Sequence, residues 1–91
     1  MAADESYQLF KSETCGFCFR VRAFADRQNI ALALRDVHSD AEAFRELLAG
    51  GGRSTVPCLR IEDAAGGVRW MYESLDIMRY LASRLNSVDR D

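Results

Sequence analysis

Apolar positions along the chain change their period several times, and each change marks an element. Tyr7 to Phe10 (YQLF) is a short apolar run of strand length. From Gly16 onward Phe17, Val21, Phe24 and Ala25 recur at helical spacing, and Gln28 and Asn29 close that helix. Residues 30–37 (IALALRDV) have β-branched ends and an apolar centre, which predicts a buried strand. In residues 39–52, Ser39 and Glu42 have the spacing of a capping box, Ala43, Phe44, Leu47 and Leu48 form one stripe, and Gly50 is placed to end the helix. Residues 56–62 and 68–72 predict two strands joined across DAAGG, a hairpin whose turn uses Gly66 and Gly67. Trp70 and Tyr72 on the second of these are expected to supply one core residue and one exposed residue. Ser74 can then cap a last helix in which Ile77, Met78, Leu81 and Leu85 share a face.

The order is strand, helix, strand, helix, strand, strand, helix. A strand-helix-strand start needs a right-handed crossover and parallel pairing, whereas the hairpin is antiparallel. The expectation is an α/β protein of thioredoxin-like fold, a four-stranded mixed sheet (β-α-β-α-β-β-α) flanked by helices, with residues 1–91 as one domain and a core over about 7–86. An apolar content of 48% is enough for one small core in 91 residues. Twelve Lys and Arg against fourteen Asp and Glu give a net charge of −2, and the arginines are scattered, so nucleic acid is not an expected partner. No apolar run approaches the roughly 18 residues of a membrane helix, and the acidic start MAADES is unlike a signal segment, so a cytoplasmic protein is expected.

Three cysteines, at 15, 18 and 58, do not make the even set of a secreted disulfide scaffold. The pair in Thr14-Cys15-Gly16-Phe17-Cys18 admits three readings: a redox pair, part of a metal site, or two inert core thiols. A closed zinc site needs four ligands, and outside the pair only Cys58 and His38 are cysteine or histidine. Placement between a strand and a helix favours redox chemistry. There Cys15 stands at the start of the helix, whose free N–H groups and positive dipole end stabilise a thiolate, and Cys18 lies one turn further in. A thiolate so stabilised is more abundant but intrinsically less nucleophilic, and the two effects nearly cancel; the gain is in Cys15 as a leaving group when a second thiol resolves a mixed disulfide.

Pro57, the chain's one proline, opens a predicted strand without an N–H to donate. It reads first as a trans proline beginning an edge strand. A cis Val56–Pro57 bond would instead present the Val56 backbone to an extended peptide. Three ordered segments, Thr14 to Cys18, then Gly52-Arg53-Ser54-Thr55-Val56-Pro57, then Tyr72-Glu73-Ser74 with Ile77, Tyr80 and Leu81, together resemble the glutaredoxins and the related N-terminal domain of glutathione transferases. The likeness spans about Tyr7 to Leu85.

That resemblance implies a glutathione-dependent thiol-disulfide oxidoreductase acting on glutathione mixed disulfides and protein disulfides. Cys15 would be the nucleophile and Cys18 the resolving thiol. Phe17 would wall the glutathione sulfur, Val56 at the Pro57 turn would pair with the cysteinyl backbone, Glu73 and Ser74 would hold the γ-glutamyl end, and Arg53 would meet the glycyl carboxylate. Implied partners are glutathione as co-substrate, glutathionylated proteins and the glutathione reductase system, with the chain a monomer. Gly16 resembles a subgroup that shares a [2Fe-2S] cluster through the cysteine at position 15, so a cluster carrier is one alternative; a glutathione-binding module without turnover is another. Lys11 lies one position away from the lysine of many glutaredoxins, where this chain has Ser12. A general conjugating transferase is not expected without a helical second domain. Cys58 is expected as a small core residue, His38 as a loop or cap residue, and Arg20 and Arg22 as a solvated helix face or a positive surround for Cys15.

Overall fold

A computed structural model describes residues 5–89, with side chains through Arg84. Strand β1 (Ser6–Lys11) leads into helix α1 (Gly16–Arg27), followed by β2 (Ala33–Asp36), α2 (Ala41–Glu46), β3 (Cys58–Glu62), β4 (Val68–Tyr72) and α3 (Ser74–Asp89). The four strands form one sheet in the order β2-β1-β3-β4. β1 and β2 are parallel, with Leu9 opposite Leu34, and the other pairs are antiparallel, with Leu9 opposite Leu59 and Leu59 opposite Met71. This is the expected mixed sheet.

Alternation along the strands divides the core into two layers. Tyr7 and Leu9 of β1 and Leu59 and Ile61 of β3 face α1 and α3, where Val21, Ala25, Ile77 and Leu81 meet them. Phe10 and Cys58 point the other way and pack with Val37, Ala43 and Leu47 of the α2 layer. The cysteine pair lies where β1 runs into α1, so the first layer fixes the helix that carries it.

Several expectations are corrected at the element ends. The second strand is shorter than residues 30–37 and is an edge strand: Ala33 and Leu34 are exposed, because only β1 flanks it. Its first residues are taken up by the end of α1, where Asn29 turns left-handed (φ 59°) and the Ile30 N–H donates to the Ala25 carbonyl. Helix α2 is capped by Asp40 rather than Ser39; its carboxylate accepts from the N–H groups of Glu42 and Ala43. The helix does not stop at Gly50. It runs on through a π-helical turn (Leu47–Gly51) and ends at Gly52, whose φ of 86° suits glycine. Phe44 and Leu48, expected in its buried stripe, are exposed, while Ala43 and Leu47 are buried. Phe17 likewise leaves the α1 stripe and is exposed.

Trp70 and Tyr72 do not split between core and surface. Two residues apart on a strand, they share a face, and both pack half-buried on the Phe10 layer. Gly50 and Gly51 make this possible: a Cβ on the first would overlap the Trp70 indole, and one on the second the Tyr72 hydroxyl. Ser74 is the first residue of α3 and not its cap; the Glu73 carbonyl accepts from the Ile77 N–H, and Glu73 itself has φ 76°. Ile77 and Leu81 are buried as expected and Met78 packs beside them, while the Leu85 side chain lies outside the described residues.

Candidate functional site

Cys15 occupies the N-cap of α1 in extended conformation (φ −94°, ψ 112°), and its sulfur accepts from the Cys18 N–H at 3.2 Å. The end of β1 and the start of α1 thus hold the sulfur against free helical N–H groups, where negative charge is favoured. On its other side Cys15 Sγ lies 3.8 Å from the Val56 carbonyl oxygen. The loop below is fixed by Ser12, which is buried; its carbonyl accepts from the Cys15 N–H and its hydroxyl from the Thr14 N–H.

The two thiols of the pair are unlike. Cys15 is partly exposed, whereas Cys18 is buried. Burial first, and the neighbouring Cys15 sulfur second, push the Cys18 thiol up to about 12, so it stays protonated at neutral pH. Cys58 is fully buried and is pushed up to about 11, again chiefly by burial. It is a core residue, as expected, with its thiol beside the Tyr72 hydroxyl. The described residues contain no group of three or more His, Cys, Asp or Glu that could hold a metal ion. Toward a bridging cluster the chain would offer Cys15, its one thiol that is not buried.

Beside the pair an open groove of about 200 Å³ is lined by Phe17, Arg53, Thr55, Val56, Pro57, Tyr72, Glu73 and Ser74. Every residue assigned to glutathione from the sequence lines it. Residues 53–57 enter from the end of the π-helical turn, Phe17 from α1, and Glu73 and Ser74 from the junction of β4 with α3. The Val56–Pro57 bond is cis and β3, which follows it, is a central strand, so a trans proline opening an edge strand is not what this chain has. Two further lining residues carry no role in the sequence motifs: Thr55, inside the Gly52–Pro57 segment, and Tyr72, a hairpin residue that directly precedes Glu73-Ser74.

Other polar residues are used elsewhere. Lys11 is buried and paired with Glu13 and, at 3.3 Å, with Asp36; these partners, Glu13 first, raise its pKa, and it does not line the groove. Arg22 lies 3.8 Å from Glu13, and Arg20 is exposed. His38 sits in the turn after β2 with Nδ1 3.3 Å from the Ser12 hydroxyl, a loop residue as expected.

The family model for glutaredoxin matches residues 8–64, more than half of the chain. The chain belongs to the glutaredoxin family. A comparison with curated proteins finds no match. Among solved structures, this glutaredoxin-family chain is similar to maleylacetoacetate isomerase from Anaeromyxobacter dehalogenans 2CP-1 with bound glutathione (TM-score 0.69, 24% identity, 89% of this chain and 38% of that one). It is similar also to the trimeric glutathione transferase TDR1 of Leishmania (TM-score 0.68, 32% identity, 84% and 17%) and to glutaredoxin 2 of Salmonella typhimurium in complex with glutathione (TM-score 0.63, 22% identity, 84% and 32%). It therefore spans less than two-fifths of each of these proteins. The common part is the thioredoxin-like fold, and membership of the family supports a glutathione-related redox or binding role.

Proposed function

We propose that this chain is a glutathione-dependent thiol-disulfide oxidoreductase that removes glutathione from mixed disulfides, cycling through Cys15. The observation that carries the reading is the placement of the Cys15 sulfur: at a helix N-cap, with its neighbour Val56 lining a groove that also gathers Arg53, Glu73 and Ser74.

In the first step the Cys15 thiolate attacks the glutathionyl sulfur of a protein mixed disulfide. A Cys15–glutathione disulfide forms, and the protein sulfur leaves as a thiolate and takes a proton. The thiolate of a second glutathione then attacks the glutathionyl sulfur, releasing oxidised glutathione and the Cys15 thiolate. Overall one reduced glutathione is consumed for each protein thiol released, the disulfide passes from the substrate to oxidised glutathione, and glutathione reductase with NADPH restores the pool. The N–H groups at the start of α1 hold charge on the leaving Cys15 sulfur, which assists the second step. Cys18, protonated and buried, takes part only where a protein disulfide must be resolved internally.

The groove supplies orientation. The bound cysteinyl residue pairs with the Val56 backbone as a short extended strand. The first N–H groups of α3, from Ser74, receive the γ-glutamyl carboxylate, and Glu73 receives its ammonium. Arg53 receives the glycyl carboxylate.

Turnover of a glutathionylated peptide, coupled to glutathione reductase and NADPH, tests the proposal. Activity retained in Cys18→Ser and lost in Cys15→Ser is expected. Glutathione binding without turnover in the parent would instead assign a binding module. Brown, visibly absorbing protein as purified, without turnover, would assign the cluster carrier that uses Cys15 from two chains.

A further inference from the structure

Arg53 is held in an unusual way. No ion pair to an acidic side chain holds it among the described residues. Its guanidinium lies over the Tyr72 ring, 4.1 Å from the centroid. The Tyr72 hydroxyl also donates to the Arg53 carbonyl at 2.8 Å and accepts from the Arg53 N–H at 3.2 Å. One side chain from β4 therefore fixes both the main chain and the charged head of the first groove residue in the 53–57 loop. Gly51 completes the arrangement, since a side chain there would occupy the position of the hydroxyl.

We propose that Tyr72 is a positioning residue that aims Arg53 at the glycyl carboxylate of glutathione, with Gly51 keeping the space its hydroxyl requires. This rests on the glutathione reading above. An arginine on a flexible loop must lose both loop and side-chain freedom when it binds an anion. Here the loop is already tied at two backbone atoms and the guanidinium carbon lies over an aromatic face, a placement compatible with N–H groups open to a planar carboxylate. With no acidic partner among the described residues, the charge is available to the ligand.

The consequence is a ligand-specific effect. Tyr72→Phe keeps the ring under Arg53 and removes both hydrogen bonds. Binding to the Cys15→Ser form, measured by calorimetry, should weaken about five- to tenfold for S-methylglutathione and stay unchanged for its glycinamide, in which the glycyl carboxylate is a neutral amide. Arg53→Gln should give the same selectivity, and adding Tyr72→Phe to it should cause little further loss. In the assay with Cys15 present, Tyr72→Phe should raise KM for the glutathionylated peptide with kcat nearly unchanged. Gly51→Ala, which keeps the hydroxyl but displaces it, should reproduce the selective loss and serves as the test if Tyr72→Phe does not fold. An equal loss for both ligands would make Tyr72 merely structural and overturn the inference, as would no loss for either. Parent protein that binds neither ligand would overturn the glutathione reading itself and the inference with it.

Discussion

The proposed chemistry rests on an inequality between two cysteines one helical turn apart. Cys15 at the N-cap is partly exposed and its sulfur meets a helical N–H, while Cys18 is 1% exposed and its thiol is pushed up to about 12. A haloacetamide at about pH 8 reacts with thiolate, so labelling followed by peptide mapping should find Cys15 modified first, with Cys18 and Cys58 modified only after unfolding. Equal labelling of Cys15 and Cys18 in the folded chain would contradict this division of roles. The pair and the residues of the 53–57 and 73–74 segments were legible because each sits in a short ordered motif. Tyr72 was not, because its proposed role depends on Arg53, 19 residues away in the chain, and on the absence of a side chain at Gly51, neither of which a local pattern encodes.

Elements were legible in kind and order but not at their ends. Ser39 and Asp40 are both good capping residues, and the sequence spacing to Glu42 favoured the first. Asp40 wins because the preceding turn is built on Asp36, whose carboxylate accepts from the N–H groups of His38 and Ser39; Asp36 thereby becomes a stronger acid than usual, with the His38 N–H the main cause. Asp40→Ala should lower stability by about 1 kcal/mol in denaturant unfolding and Ser39→Ala by much less. The reverse order would restore the sequence-based assignment. The choice among Gly50, Gly51 and Gly52 was equally hidden: three successive glycines serve Trp70, Tyr72 and the helix end in turn. The edge position of β2 was hidden too, since periodicity does not reveal strand order.

At the scale of the whole molecule, two apolar layers enclose the sheet, and several ionisable groups are kept neutral within them or beside them. Leu59 of β3, fully buried in the layer that faces α1 and α3, is a direct probe of the first layer: Leu59→Ala should cost about 2–5 kcal/mol in equilibrium unfolding. The buried thiols set the alkaline limit. Cys18 and Cys58 rise from the ordinary value of 9.0 to about 12 and about 11, so above about pH 9 the unfolded chain holds fewer protons than the folded one, and stability falls as pH rises through that window. Lys11 acts in the same direction. Its pKa is raised by Glu13 and Asp36, so its contribution is complete below the unfolded value and is lost as pH rises through the folded one. Thermal unfolding followed from about pH 8 to pH 11 should show a declining Tm for the reduced protein, with a shallower decline in Cys58→Ser. A flat profile would contradict the protonated state of the buried thiols.

Whether Cys15 exchanges glutathione is decided by mixing the Cys18→Ser chain with oxidised glutathione and following intact mass and peptide mapping. One glutathionyl group, carried on Cys15, is expected; reduced glutathione removes it and a glutathionylated peptide also delivers it. No adduct under these conditions, or an adduct at Cys58 with Cys15 unmodified, would contradict it.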